Sequence, residues 1–194
     1  MTKNKFVLAS TSPRRKELLA LINIYPEIIT PNYDELLKKN EQIYDFLKRV
    51  SIGKGKSIKN KNNSEKIIIS SDTIVFINNR IIGKPKDRTD AFNILKILSN
   101  NDHMVITGIA IQFKDKCLYD FRETKVSFES LTDNEINYYL DNENYIDKAG
   151  AYAIQGLASV FIKKIDGCYF NVMGFPLNLF SNMLKKIQGR ETKS

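Results

Sequence analysis

The chain has 194 residues, a hydrophobic fraction of 42% and a formal net charge of +8, which suits one domain or two closely fused lobes with anionic partners. Its two cysteines form no CxxC cluster, so we expect no disulfide framework and no structural zinc site, and a histidine-based metal site or catalytic triad would rest on His103 alone. The sequence shows neither a signal peptide's apolar region nor a membrane-spanning stretch, so we expect a soluble, cytoplasmic protein.

Strand and helix patterns alternate in the first half of the chain. In chain order they predict a strand at Phe6–Ala9, a helix from Ser12-Pro13, a mostly helical stretch over residues 35–59, a polar loop over residues 59–65, a strand over residues 66–71 and a hairpin of residues 73–77 with Arg80–Ile82. A serine followed by a proline is typical of a helix start. A continuous isoleucine run is typical of a buried strand, and Asn78-Asn79 is the predicted turn of the hairpin.

The second half combines a long hairpin with helices. In chain order we predict a helix over residues 89–98, a hairpin of residues 103–113 with residues 117–128, a helix from Thr132 through Leu140, a strand over residues 161–165 and a helix over residues 176–187. Thr132 and Glu135 form a capping-box pattern. This mixed order predicts an α/β or α+β fold with a mixed, strongly twisted sheet, without a repeat or a linker that would separate independent domains.

Hydroxyl and basic side chains gather where the first strand passes into the first helix. Ser10 and Ser12 precede Arg14, Arg15 and Lys16 in the first helical turn. Cations at a helix N-terminus oppose the helix dipole and cost ~0.3–1 kcal/mol each at an exposed site. A bound polyphosphate would reverse that cost by accepting backbone N–H groups and pairing with the arginines, so the segment is a candidate phosphate site. The alternative is that these cations simply face solvent.

An acid and a lysine form a second candidate group. Asp72 directly follows the isoleucine-rich strand, and an acid at the end of a buried strand commonly lines a crevice, where it can hold Mg²⁺ or orient a water. Lys84 lies in a Gly-Lys-Pro turn that would aim it with little freedom, although an incidental lysine is the alternative. For the acidic pair Asp34-Glu35, helix capping is an adequate explanation without any metal.

Two further segments carry weaker signals. Gly55-Lys56-Ser57 looks like the end of a Walker A loop, but Val50 occupies the position of the required first glycine, which disfavours a P-loop. Lys54 and Lys56 could still reach a phosphate, although most such lysines are only solvated. In residues 147–156, small residues permit close approach of a ligand, and the amide of Gln155 could match the edge of a base. Tyr152 could stack on a base, but we predict that it packs in the core.

Several segments match one known family in the expected order. They are SxSPRRxELL at residues 10–19, Asp-Thr-x-Val at residues 72–75, Gly-Lys-Pro at residues 83–85, Thr-Gly at residues 107–108, DKAGAYxIQG at residues 147–156 and GxYxNVxGxP at residues 167–176. Each piece is short, but the ordered set spans nearly the whole chain. On these motifs the sequence resembles the Maf proteins.

The resemblance implies a fold and an activity. The fold would be ITPase-like α/β: one Maf-like domain over residues 1–194, with a mixed twisted sheet and two lobes around a central cleft. The activity would be cleavage of a nucleoside triphosphate to a monophosphate and pyrophosphate, dependent on Mg²⁺ or another divalent cation. The resemblance also implies a homodimer. The DKAGAYxIQG and Asp-Thr-Ile-Val versions look most like members that act on dTTP and UTP, with CTP and modified pyrimidines as alternatives.

The resemblance also implies residue roles. These are phosphate binding by Ser10, Ser12, Arg14 and Arg15, charge neutralisation by Lys54 and Lys84, base contact by Gln155, and a general base or magnesium ligand at Asp72, assisted by Glu35 or Asp34. Two departures stand out. Gly55 replaces the usual alanine, which could loosen the placement of Lys54, and Phe175 replaces the usual leucine, which should be a harmless packing change.

Two rival functions come from other classes. The positive charge and the aromatic residues permit a nucleic-acid-binding module, but the basic residues are spread along the chain and no aromatic RNA-binding signature is visible. A nucleotide-binding regulator without catalysis is the second rival, and the intact Asp72, Arg14 and Lys84 weigh against it. We therefore expect a nucleoside triphosphate as the partner, with neither nucleic acid nor membrane.

Overall fold

A computed structural model describes residues 5–60, 63 and 65–189 of the chain. Its strands are β1 (Phe6–Ala9), β2 (Glu27–Ile29), β3 (Ile67–Ile77), β4 (Arg80–Ile82), β5 (Asp102–Phe113), β6 (Lys116–Phe128) and β7 (Ile162–Asp166). Its helices are α1 (Pro13–Ala20), α2 (Ile43–Ser57), α3 (Arg88–Leu98), α4 (Asp133–Asn142), α5 (Tyr169–Val172) and α6 (Leu177–Ile187), and 3₁₀ turns cover Ala149–Ala151 and Gly156–Phe161. Within these residues, every helix is too short or too polar to span a lipid bilayer.

The strands join in one mixed sheet. Their order is β2-β1-β3-β5-β6-β7, and β4 pairs with β3 off this path. β1 runs parallel to both β2 and β3, with Val7 opposite Ile68, whereas the β3–β4 and β6–β7 pairs are antiparallel. Because β1 lies between two neighbours and its Val7, Leu8 and Ala9 are fully buried, its sequence has to be apolar on both faces. The prediction of an α/β fold with a mixed sheet is confirmed.

The chain divides into two compact units. Unit 1 contains the chain up to Asp72, residues 107–122 and the chain from Gly174 onwards; unit 2 contains residues 73–106 and 123–173. The prediction of a single domain with two lobes around a cleft stays a prediction, and its ends, residues 1–4 and 190–194, lie outside the described residues. So do residues 61, 62 and 64 of the predicted polar loop.

Unit 1 packs helices against the parallel strands. Val7, Ala9, Ile58 and Ile68 form one of its buried clusters. The last helix, α6, buries apolar residues that recur every three or four positions, which is the spacing of one helical face. They are Leu177, Phe180, Met183 and Ile187.

Unit 2 has an apolar core between α3, α4 and the ends of the long strands. The capping box at the start of α4 is confirmed: the Thr132 hydroxyl accepts from the Glu135 backbone, and the Glu135 carboxylate accepts from the Thr132 backbone at 2.7 Å. Tyr139 is 2% exposed and donates its hydroxyl to the carbonyl of Ala151 at 3.2 Å. This bond ties α4 to the 3₁₀ turn over residues 149–151.

A histidine is buried in the core of unit 2. His103 Nε2 lies 2.7 Å from the Tyr152 hydroxyl, and both rings pack edge-on against Phe128. The prediction that Tyr152 packs in the core is confirmed, since it is 6% exposed. Burial lowers the pKa of His103 to about 4, and its Nδ1 is a buried atom without a hydrogen-bond partner in the described structure. His103 is therefore held in its neutral form.

Two predicted boundaries need correction, and two short elements were missed. The helix predicted from residue 35 begins at Ile43, because Leu36 and Leu37 are exposed and residues 30–42 form no helix or strand. The strand predicted to end at residue 71 continues to Ile77. The short elements β2 and α5 carry too few residues for a periodic pattern and were not predicted. The hairpin turn is confirmed, with Asn78 and Asn79 at φ 51° and 59°.

Candidate active site

The start of α1 is joined to the turn before α6 by one buried arginine. Arg15 donates from Nη1 to the Ser10 hydroxyl at 3.3 Å and from Nε to the carbonyl of Gly174 at 3.1 Å. The same Ser10 oxygen accepts from the backbone N–H of Ser12 at 3.1 Å. Ser12 is the N-cap residue of α1, and its side chain makes no capping hydrogen bond. Arg14 beside it is half-buried, so the predicted phosphate-binding residues share one end of one helix.

Arg15 lies within electrostatic reach of two acids. Burial lowers the pKa of its guanidinium, and the negative charges of Asp72 and Glu35 act in the opposite direction. The positive charge of Arg14 adds to the lowering. The basic group at the start of α1 and the acidic group on β3 are therefore neighbours within unit 1.

A lysine links the two acids. Lys54 on α2 places its Nζ 2.7 Å from Asp72 Oδ1 and 2.9 Å from Glu35 Oε2. The side chains of Lys54 and Asp72 are 7% and 12% exposed, whereas that of Glu35 is 50% exposed. Two shielded charges of opposite sign stay in place because each compensates the other, and the exposed acid remains open to a ligand.

The donor set of this cluster fits a magnesium ion. Among the described residues no group of three or more histidine, cysteine, aspartate or glutamate side chains could hold a metal. Mg²⁺, however, usually takes one or two protein carboxylates, keeps several waters and binds substrate phosphates. Asp72 and Glu35 can supply that number of carboxylates.

The position of Asp72 differs from the prediction. It lies within β3, not after its last residue, and the buried Ser70 and Ser71 precede it. The Ser70 hydroxyl donates to the carbonyl of Ser51 on α2 at 2.6 Å. This contact fixes the strand to the helix that carries Lys54, so the distance between the acid and the lysine is set by packed secondary structure.

The remaining predicted residues belong to unit 2. Lys84 is exposed after β4, and the carbonyl of the preceding Gly83 accepts from the backbone of Gly150 at 3.0 Å. Gln155 is exposed at the start of the second 3₁₀ turn. The structure thus brings Ser10, Arg15, Glu35, Lys54 and Asp72 together in unit 1. The roles of Lys84 and Gln155 stay predictions.

Sequence reasoning missed one polar group near Asp72. Tyr119 of β6 has a buried hydroxyl without a hydrogen-bond partner in the described structure, and burial together with the charges of Asp120 and Asp72 raises its pKa. The Tyr119 ring also lies beside Gly108, where a Cβ atom would contact it. No motif in the sequence indicates this proximity, since a tyrosine in a long strand is ordinary.

Comparison with known proteins settles the family. The family model for Maf-like proteins matches residues 5–187. The chain belongs to the Maf family. A dTTP/UTP pyrophosphatase of Clostridium beijerinckii is 43% identical over 187 residues, covering 95% of this chain and 100% of that protein. One from Thermoanaerobacter sp. (strain X514) is 44% identical over 184 residues, with coverage of 94% and 96%.

A solved structure supports the fold of this Maf-family chain. The Ham1 protein of Staphylococcus aureus is similar to it with a TM-score of 0.50, covering 93% of this chain and 98% of that one. At 13% sequence identity, this similarity concerns the fold alone. It agrees with the ITPase-like α/β architecture that the sequence predicts.

The Gly55 departure of this Maf-family chain has a structural explanation. A Cβ atom at Gly55 would overlap the Gln112 amide and lie 2.7 Å from the Ser70 hydroxyl. Gln112 donates from Nε2 to the carbonyl of Ile52 at 3.0 Å, so its amide fills the space of the absent methyl group. Lys54, which precedes Gly55, contacts two carboxylates. The expectation that the glycine loosens its placement stays a prediction. Phe175 is fully buried and packs on Phe180.

Proposed function

We infer that this Maf-family protein is a nucleoside triphosphate pyrophosphatase that hydrolyses dTTP and UTP to the monophosphate and pyrophosphate. Relatives that match almost the full length of the chain are named for this activity. The observation that carries the inference is the cluster in which Lys54 joins Asp72 and Glu35 beside Arg15. The carboxylates of this cluster can bind a divalent cation, and its basic side chains can bind the phosphates of a nucleotide.

The chain's own residues supply the chemistry of this proposal. A water attacks the α-phosphorus, the bond to the bridging oxygen breaks, and pyrophosphate leaves in line with the attack. Asp72 orients that water and accepts its proton. Asp72 and Glu35 would hold Mg²⁺, which supplies neutralisation of charge on phosphate oxygens. No covalent nucleophile is required.

Cations stabilise the charge that develops on the phosphates. Arg14, Arg15 and the Ser10 and Ser12 hydroxyls bind the triphosphate at the start of α1. Lys54 and Lys84 neutralise charge on the transferring and leaving groups. Gln155 contacts the base. A cytoplasmic homodimer belongs to the same proposal and is supported by the family resemblance.

A nucleotide panel tests the activity. We expect purified protein with Mg²⁺ to release pyrophosphate from dTTP and UTP, and to lose that activity with a chelator. Products should be scored for pyrophosphate against orthophosphate, with dATP and dGTP as comparison substrates. Orthophosphate as the product would indicate a different class of phosphohydrolase. Salt-sensitive binding of RNA or DNA without any hydrolysis would favour the nucleic-acid-binding alternative.

Replacement of Arg14 tests the phosphate site. We expect Arg14→Ala to raise KM for dTTP, lower kcat, or both, with kcat/KM reduced roughly tenfold or more, because a hydrogen bond to a charged group contributes ~1.5–3 kcal/mol. Lys16→Ala is the matched control, since Lys16 is an exposed cation two positions after Arg14 on α1. Steady-state kinetics at saturating Mg²⁺ compare the two. If both constants of Arg14→Ala match those of the wild type, the helix start does not bind the phosphates.

A further inference from the structure

The acid at the open end of the cluster lies on a segment without regular structure. Glu35 belongs to residues 30–42, which form no helix or strand, and its neighbours Leu36 and Leu37 are exposed. Fixing such a residue costs conformational entropy of about 1–2 kcal/mol for its backbone alone. Something outside the segment must therefore hold the backbone where Glu35 reaches Lys54.

One arginine of α2 bonds to the backbone on both sides of Glu35. Arg49 donates from Nη2 to the carbonyl of Leu36 at 2.8 Å and from Nη1 to the carbonyl of Asp34 at 3.4 Å. Its Nε and Nη2 also bind the two carboxylate oxygens of Glu41 at 2.6 and 2.8 Å. Glu41 in turn accepts from the backbone N–H of Lys38 at 3.0 Å. These hydrogen bonds connect residues 34–41 of the segment to α2.

The pair that does this is better ordered than an ordinary surface ion pair. The side chains of Arg49 and Glu41 are 20% and 11% exposed, and their contact is bidentate, which favours a fixed geometry. The hydrogen bonds from Arg49 lower the pKa of Glu41 to about 2. Arg49 and Glu41 are therefore both charged at neutral and mildly acidic pH.

A second contact fixes the beginning of the segment. The ring of Tyr33 occupies the place where a Cβ atom of Gly53 would lie, so the tyrosine packs directly on the backbone of α2. Tyr33 also lies close enough to Arg49 to contribute to the raised pKa of its guanidinium. Gly53 precedes Lys54, so the segment that carries Glu35 is packed beside the residue that Glu35 contacts.

We propose that Arg49 and Glu41 are positioning residues that hold Glu35 for the divalent cation and so set the cation affinity of the site. This inference rests on the proposed function. Replacing a residue that orients the ligands of a metal typically weakens metal binding roughly 10-fold to 100-fold. In this proposal Arg49 and Glu41 act through the backbone around Glu35, and not by contact with the substrate or the metal.

Two replacements at Arg49 test the proposal. The readout is the Mg²⁺ concentration that gives half-maximal binding of α,β-imido-dUTP, a nonhydrolysable analogue, measured by calorimetry. We expect Arg49→Met to raise this concentration roughly tenfold. Arg49→Lys keeps the charge but loses the bidentate fork, so a smaller rise is expected. Lys66→Met is the control, because it removes another 2.6 Å ion pair of unit 1, with Glu27, whose two residues lie outside residues 30–42.

A readout without metal or nucleotide accompanies it. Lys38 and Lys39 are exposed in the segment, so trypsin should cleave after them several-fold faster in Arg49→Met than in Lys66→Met. Should Arg49→Met fail to fold, Glu41→Gln keeps the side-chain shape and is expected to move both readouts in the same direction.

The outcomes separate this inference from the proposed function. If Glu35→Gln raises the Mg²⁺ requirement and neither Arg49→Met nor Glu41→Gln does, the positioning role is overturned while the function stands. If Glu35→Gln leaves the requirement unchanged, Glu35 does not hold the cation and the positioning role is overturned with it. If the wild type releases no pyrophosphate from any nucleotide, the proposed function fails, whereas the trypsin comparison still reports on the segment.

Discussion

Asp72→Asn is expected to reduce kcat for pyrophosphate release from dTTP about a thousandfold while binding of the nucleotide persists. Asparagine has nearly the same shape and can still accept from Lys54 Nζ, so the packing of β3 should be kept. It cannot take a proton from water, and general base catalysis contributes ~10²–10⁴-fold to rates. Pyrophosphate release measures kcat, and calorimetry with α,β-imido-dUTP measures binding.

The matched control for Asp72→Asn is Glu27→Gln. Glu27 is also a carboxylate of unit 1 in an ion pair, at 2.6 Å from Lys66, but it lies on β2 and outside the proposed site. Its replacement should leave kcat unchanged. Turnover of Asp72→Asn at the wild-type rate would remove Asp72 from the mechanism.

Acidification is expected to destabilise the protein through His103. Its folded pKa of about 4 lies below the ordinary 6.5, because burial disfavours the charged ring. Below pH 6.5 His103 binds a proton in the unfolded chain, whereas in the folded chain it stays neutral down to about pH 4. The free energy of unfolding therefore decreases as the pH falls through this window. At about 1.4 kcal/mol per pH unit, the loss is about 3 kcal/mol at pH 4.

Comparison with His103→Gln isolates this contribution. The replacement costs stability at every pH, so the quantity to compare is the change in unfolding free energy between pH 7.5 and pH 4, from urea titrations followed by circular dichroism. The wild type should lose about 3 kcal/mol more than His103→Gln over that interval. Contributions of carboxylates such as Glu41 are common to both proteins and cancel. Equal losses would show that His103 is protonated without penalty in the folded state.

Much of the fold could be predicted because its signals are local. The start of α1, the capping box of α4 and the turn at Asn78-Asn79 each depend on residues within four positions of one another. The start of α2 could not, because Leu36 and Leu37 look like a buried helical face in the sequence. The structure leaves them exposed, and tertiary contacts of Arg49 decide the path of the chain instead.

In the candidate site, too, local signals could be predicted and tertiary contacts could not. Motifs indicated Arg15, Lys54 and Asp72 as residues, but not their arrangement. Lys54 and Asp72 are 18 positions apart, and Arg15 meets the carbonyl of Gly174 across 159 positions. No periodic pattern encodes such contacts, which depend on how the sheet orders its strands. For the same reason the sequence does not reveal what fills the space beside Gly55, because Gln112 lies on the distant strand β5.

Asparagine takes the place of glycine at several left-handed turn positions of the described residues. Among the described residues, seven non-glycine residues have positive φ, and five of them are asparagines: Asn23, Asn40, Asn78, Asn79 and Asn100. Asparagine tolerates this left-handed geometry, yet it samples fewer conformations than glycine once the chain unfolds. The turns therefore lose less disorder on folding than glycine turns would. The asparagine-rich composition therefore stabilises the fold, because it lowers the conformational entropy of the unfolded chain.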